Sequence, residues 1–312
     1  MSVPGSVANL GSGFDTLGLA VQLYLRATIA DVRDDGGAKL VVTKSTPPVK
    51  SRNQLERAFD VIARRTGRPA PTVFVEVSSD VPMAAGLGSS GAATVAGLRV
   101  FERVTGPVAD SVLLAAATEV EGHADNAAPS LFGGLNSVLE VEGLDPLALR
   151  WSWPDDLRLV VATPAIGLAT AKARAALPGT MPRSDAIFNL QRVLLLVHAL
   201  QHRQYERIGE GVKDRWHQPV RSSLVPLLDE ALAVDDPAVL GTFLSGAGPS
   251  VAAIARAEAA PEVERLLASM YARAGVEVTV RVLAAHDGAS SAEPESSNRV
   301  ADAATSARGR AV

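Results

Sequence analysis

The stretch DVPMAAGLGSSGAATVAGL, from Asp80 to Leu98, constrains the fold of this chain more than any other. It follows TVFVEVSS, which alternates at period two like a half-buried strand, and runs into an alanine-rich segment with helical spacing from Ser90 to Thr105. A strand that enters a helix through Gly86, Gly88 and Gly91 gathers backbone N–H groups at the positive end of a helix dipole. Glycine suits such a turn because it accepts φ > 0 and lets the backbone approach a ligand closely. Ser89 and Ser90 add hydroxyls that can meet phosphate oxygens or a bound Mg2+. The bland alternative is a turn that serves only tight strand-to-helix packing.

Several classes are excluded. A P-loop needs G-K-[ST], and none of the five lysines lies nearby. The spacing is not G-x-G-x-x-G after a first strand, which argues against a dinucleotide fold. No apolar run approaches the roughly 18 residues of a membrane span. The net charge of −4 without a basic cluster argues against nucleic-acid binding. Cysteine is absent, so there is no disulfide, thiolate or cysteine-based metal site. The start MSVPGSVANL lacks the pattern of a secretion signal, and these features together point to the cytoplasm. Arginine outnumbers lysine 25 to 5 in an alanine-rich chain. That skew reads as coding bias, so an arginine has to be argued position by position.

With 312 residues, 47% of them hydrophobic, the chain is long enough for one large domain or two ordinary ones. NQLERAFDVIARRTG predicts a helix closed by Gly67, and DSVLLAAATEVEGHADN a second one that runs into a loop. LFGGLNSVLEVE and LRLVVATP read as strands, with a junction at residues 151–156. Helices are expected around 185–210 and 222–234. AVLGTFLSGAGPSVAAIA reads as helix, glycine turn and strand, PEVERLLASMYARAG as helix, and VEVTVRVLAA as a closing strand. The pattern is α+β in two domains, 1–155 and 156–287, with a disordered tail over 288–312.

Three motifs in order extend this reading. PMAAGLGSS, from Pro82 to Ser90, resembles the phosphate loop P-x-x-x-G-L-G-S-S of the GHMP small-molecule kinases. VPGSVANLGSGFDTLGLAV resembles that family's N-terminal motif, and FLSGAGPSVAAI its C-terminal glycine motif. The resemblance covers roughly residues 2–285. It implies an N-terminal α+β domain and a C-terminal ferredoxin-like α+β domain with the active site between them. The cradle would then hold ATP phosphates through backbone and Mg2+ in place of a lysine. Pro82, Met83, Ala84, Ala85, Gly86, Leu87, Gly88, Ser89, Ser90, Gly91 and Ala92 would form it, with Asn53 near adenine.

ANLGSGFD, EGHADNAAPSLFGG and HQPVR are most similar to the homoserine kinases of that family, which implies L-homoserine as acceptor and a possible homodimer. Ser12 stands where the family pattern has proline. An alcohol bearing an α-carboxylate and an α-ammonium needs cationic and anionic partners, and arginine's planar fork suits the carboxylate. The resemblance places Arg174 and Arg221 there, with Arg183 a competitor for Arg174. Asp15 would meet the ammonium, and Asn9, His123 and Asn126 would add hydrogen bonds. Asn126 would align the acceptor hydroxyl, and Asp125 is the candidate if a true base exists. Mg2+ would bind Ser90 and either Glu119 or Glu121, of which the family pattern favours Glu119. His198 and His202, one turn apart without a third ligand in view, read as a solvated helix face.

Overall fold

The computed structural model describes residues 1–49, 53–140 and 142–288. The tail expected from residue 288 lies outside them except for Gly288. The first half begins with β1 (Ser2–Ala8), the long β2 (Leu17–Arg33) and β3 (Leu40–Thr46). Then come α1 (Gln54–Thr66), β4 (Thr72–Ser79), α2 (Ser89–Thr105), α3 (Asp110–Glu121) and the short α4 (Ala127–Phe132). β5 (Leu135–Leu139) and β6 (Leu147–Trp151) close this half. The sheet order is β3-β4-β2-β5-β6, with β1 on β2, and only β3 and β4 run parallel.

α1 shows how local chemistry sets these elements. The Asn53 side chain accepts from the Glu56 N–H at its start, and Gly67 ends it in the left-handed region with φ 61°. Leu55, Ala58, Phe59 and Ile62 recur on one face and are buried. Phe59 meets Phe101 of α2 edge-on at 5.4 Å, so the helix layer is welded over the sheet.

The second half runs through β7 (Leu157–Pro164), α5 (Thr170–Ala175), α6 (Arg183–Gln201), α7 (Ile208–Gly211), α8 (Gln218–Arg221) and α9 (Leu228–Leu232). β8 (Gly241–Leu244), β9 (Val251–Arg256), α10 (Ala260–Arg273) and β10 (Val278–Leu283) complete it. The antiparallel order β10-β7-β9-β8 is that of a ferredoxin-like sheet. Two expectations are corrected here. Residues 241–244 form a strand, because pairing with β9 buries all four of them and overrides the helical look of AVLGTF. The helix expected over 222–234 is split into a 3-10 turn at Ser222–Leu224 and the short α9 at Leu228–Leu232, with Pro226 between.

The halves share one core. Val7, Leu17 and Leu19 of the first sheet pack with Leu159, Phe243 and Ile254 of the second, and Leu196 and Leu200 of α6 join them. Each such side chain contributes about 1.5–3 kcal/mol on burial, so the cleft between the halves has stiff walls. After β10 the chain returns to the first sheet: His286 N–H donates to Ala20 O, and Gln22 N–H to Ala284 O.

Candidate active site

The turn between β4 and α2 forms one wall of a cleft of about 380 Å3. Gly88 precedes α2 in the left-handed region (φ 71°), and no side chain caps the helix. The first-turn N–H groups of a 17-residue helix are thus left for an anion. Gly86 (φ 75°) lies so close to the second half that a Cβ there would stand 2.3 Å from Ser245 O. Ser245 Oγ donates to Gly86 O at 2.5 Å, and Leu168 N–H to Ala84 O at 3.1 Å. Both halves therefore hold the turn in place.

At the helix start lies an oxygen-rich corner that brings Ser90 together with Glu121 and leaves Glu119 outside it. Ser90 Oγ donates to Glu121 Oε1 at 2.9 Å, Thr94 Oγ1 donates to the same oxygen, and Gln54 Nε2 reaches Ser90 Oγ and Glu121 Oε1 at 3.1 Å each. Glu119 faces away, bonded to Arg65 at 2.8 Å and Arg64 at 3.2 Å. The hydrogen bond from Arg65 is the main cause holding its carboxyl below the usual range. Positions two apart on a helix point in different directions, so only Glu121 can turn inward. One carboxylate beside a hydroxyl suits Mg2+, which takes oxygen ligands and keeps several waters.

The opposite end of the cleft is ionic. Arg174 of α5 forks onto both oxygens of Asp15, at 2.8 and 2.6 Å. Burial opposes the Arg174 charge, but Asp15 outweighs it and raises the pKa. Arg221 is 1% exposed and makes no salt bridge among the described residues. Among the described residues it donates only to Ala173 O (3.3 Å), Gly246 O (3.1 Å) and His217 Nδ1 (3.3 Å). Burial, then the charge of Arg174, pushes its pKa down to about 10. Both guanidinium groups face the Phe14 ring, at 5.8 Å for Arg174 and 5.3 Å for Arg221.

Between the two ends stand His123, Asp125 and Asn126. His123 Nδ1 is 2.5 Å from the buried Asp125 Oδ1. Burial works against a charged imidazole, but Asp125 prevails and raises the His123 pKa. Asn126 precedes α4 without capping it, and its Oδ1 accepts from Ser6 Oγ at 3.1 Å. Asn9 (φ 73°) is engaged at both ends of its amide: Nδ2 donates to Gly246 O, and Oδ1 accepts from Asp15 N–H.

Comparison with known proteins decides the family. Residues 53–134 match the family model for the GHMP kinases N terminal domain, and residues 196–273 that for GHMP kinases C terminal. The chain belongs to the GHMP kinase family. This kinase is 37% identical to the homoserine kinase of Gloeobacter violaceus over 281 residues, covering 87% of this chain and 92% of that one. It is 36% identical to the homoserine kinase of Moorella thermoacetica, covering 90% and 95%. The crystal structure of homoserine kinase from Cytophaga hutchinsonii superposes with a TM-score of 0.78 at 27% identity, over 92% of this chain and 96% of that one. A mevalonate kinase structure shares the fold alone, with a TM-score of 0.66 at 13% identity.

Other expected residues of the kinase fall elsewhere. Asn53 does not line the cleft, and its Oδ1 caps α1 through the Glu56 N–H at 3.2 Å. Its neighbour Gln54 lines the cleft instead. Arg183 sits exposed at the start of α6, outside the cleft. Ser12, in place of the family proline, donates to Gly211 O at 2.9 Å and ties its loop to α7. Sequence reasoning passed over Gln54, Phe14 and His217. For His217 the signal was available, since HQPVR puts it one helical turn before Arg221.

Proposed function

We propose that this protein is an ATP-dependent homoserine kinase, which transfers the γ-phosphoryl group of ATP to the side-chain hydroxyl of L-homoserine. The product, O-phospho-L-homoserine, feeds threonine synthesis. One observation carries the reading: a buried arginine without an acid and the Asp15–Arg174 pair line the same cleft as an uncapped helix start. A phosphate donor and a small zwitterion are the ligands that such a cleft complements.

The backbone of residues 82–92 would hold the ATP phosphates. Ser90 and Glu121 would hold Mg2+, which neutralises charge on the phosphates. Arg221 and Arg174 would bind the homoserine carboxylate, and Asp15 its ammonium. His123, Asn9 and Asn126 would add hydrogen bonds, with Asn126 aligning the hydroxyl. An amide takes no proton at neutral pH, and Asp125 Oδ1 is occupied by His123. Alignment and charge stabilisation, which dominate phosphoryl transfer, are thus the work assigned to this chain. The hydroxyl proton would leave to the phosphate or to water. The same reading includes a cytoplasmic enzyme and a homodimer, which size-exclusion chromatography tests.

The deciding experiment is a coupled ADP-release assay with Mg·ATP and an acceptor panel of L-homoserine, D-homoserine, L-serine, L-threonine, mevalonate, pantoate and galactose. Strong preference for L-homoserine is expected. Turnover of mevalonate or galactose at a comparable rate would overturn the acceptor assignment.

A further inference from the structure

His217 is 0% exposed and lies one helical turn before Arg221. Its two ring nitrogens have different neighbours. Nε2 is 2.8 Å from Gly11 O, a carbonyl, so this nitrogen carries the proton. Nδ1 is 3.3 Å from Arg221 Nη1, which can only donate, so Nδ1 must present its lone pair. The two contacts fix one neutral tautomer, because an imidazolium would set an N–H against the guanidinium. Burial works in the same direction and lowers the imidazole pKa.

The ring also separates charges. Asp214 Oδ2 lies 3.6 Å from His217 Nε2, on the ring edge away from Arg221. The Asp214 carboxylate is saturated by Asn189 Nδ2 and by the N–H groups of Trp216, His217 and Gln218. Phe14 stacks on the ring at 5.1 Å and holds it between acid and guanidinium. Arg221 is thus held only by neutral acceptors, two carbonyls and one imidazole.

We propose that His217 is a positioning residue for acceptor binding: through Nδ1 it aims the Arg221 guanidinium, and its ring keeps Asp214 from neutralising that charge. The cleft is thereby left with a guanidinium that no carboxylate contacts among the described residues, ready for the carboxylate of an acceptor. This inference rests on the reading of a carboxylate-bearing acceptor.

Two substitutions separate this role from simple support of the Gly11 loop. In His217→Asn, Oδ1 can stand where Nδ1 accepts from Arg221, but no atom reaches Gly11 O. In His217→Gln, the amide can donate to Gly11 O, but no acceptor remains at the δ position. The measurements are KM for L-homoserine, KM for ATP and the melting temperature of each variant. His217→Gln is expected to raise the homoserine KM about tenfold or more, the loss of one hydrogen bond to a charged group, with the ATP KM unchanged. His217→Asn should stay within about threefold of wild type for the same reason. The reverse order, equal losses, or a folded His217→Gln variant with wild-type KM would overturn the proposal. Wild-type protein that binds ATP but no homoserine would instead sink the acceptor reading, a result seen without any variant.

Discussion

Replacing Arg221 by methionine should separate stability from acceptor recognition. The guanidinium is 1% exposed without a salt bridge among the described residues, and its pKa falls from 12.5 to about 10, chiefly through burial. That drop corresponds to a penalty of roughly 3 kcal/mol on the charged form in the folded state. At neutral pH the group is charged both folded and unfolded, so the penalty is present in full. It fades only as pH rises through the lowered value. Methionine removes this cost with a side chain of similar reach. Against that, Ala173 O, Gly246 O and His217 Nδ1 each lose a donor, at about 1 kcal/mol apiece. The two terms nearly cancel, so the melting temperature should move by only a few degrees. Acceptor binding should not be spared. Losing two charge-assisted hydrogen bonds to a carboxylate, together about 3 kcal/mol, raises the homoserine KM by about 150-fold. The ATP KM should hold within about twofold, because the nucleotide would lie at the α2 end. Steady-state kinetics against each substrate and a thermal melt suffice. An equal rise in both KM values, or a variant that no longer folds, would refute the reasoning.

Three further outcomes follow from the same contacts. Glu121→Gln should lower kcat by about 100-fold and raise the Mg2+ concentration for half-maximal rate, whereas Glu119→Gln, which loosens exposed ion pairs only, should stay within about twofold. A magnesium titration of the two variants gives the answer, and the opposite ranking would return the metal to Glu119. His123 has a raised pKa because Asp125 outweighs burial, so its charged form stabilises the fold below the unfolded pKa of about 6.5. The stability margin of wild type over His123→Gln should therefore be largest in mild acid and shrink as pH rises through the raised value. Chemical denaturation at a series of pH values reads this, and a margin that grows with pH contradicts it. Gly86→Ala places a Cβ 2.3 Å from Ser245 O at a φ of 75°, so it should cost at least about 1–2 kcal/mol from the left-handed backbone alone. A melt with and without ATP should show lower stability and weaker nucleotide protection, and an unchanged melt would refute the close approach.

The glycine turn was legible because its chemistry is local: φ > 0 at Gly86 and Gly88, and an uncapped helix start, follow from a few neighbouring residues. α1 was legible for the same reason, with apolar spacing between Asn53 and Gly67. The errors arose where distant residues decide. Nothing in GTFL announces a strand until β9 lies beside it. In ATEVEGH, Glu119 and Glu121 have equal local claims. The choice is made by Arg64 and Arg65 on one side and by Ser90 and Thr94 on the other, all remote in sequence. Gln54 was hidden too, because its partners are Ser90 and Glu121 on other helices.

If Asp15 and Arg174 bind the acceptor as proposed, the pair bears on selectivity as well as binding. In the free protein these two side chains satisfy each other through a bidentate contact. Under the proposed reading an incoming amino acid exchanges partners: its ammonium takes up Asp15, while its carboxylate takes up Arg174 together with the unpaired Arg221. Every charge then ends with a partner, so separating the pair costs little. An acceptor with the carboxylate but no ammonium, such as 4-hydroxybutyrate, either leaves Asp15 and Arg174 joined or strands the aspartate. Either way it forfeits about 2–3 kcal/mol, the worth of one or two charge-assisted hydrogen bonds. Its kcat/KM should fall to between about one thirtieth and one hundred and fiftieth of that for L-homoserine. The Asp15→Asn variant should narrow the gap, since it weakens the homoserine contact while 4-hydroxybutyrate has no ammonium to lose. Paired kcat/KM measurements on both acceptors and both proteins complete a cycle. Equal use of the two acceptors by wild type would remove Asp15 from ammonium recognition and leave Arg174 as its sole partner.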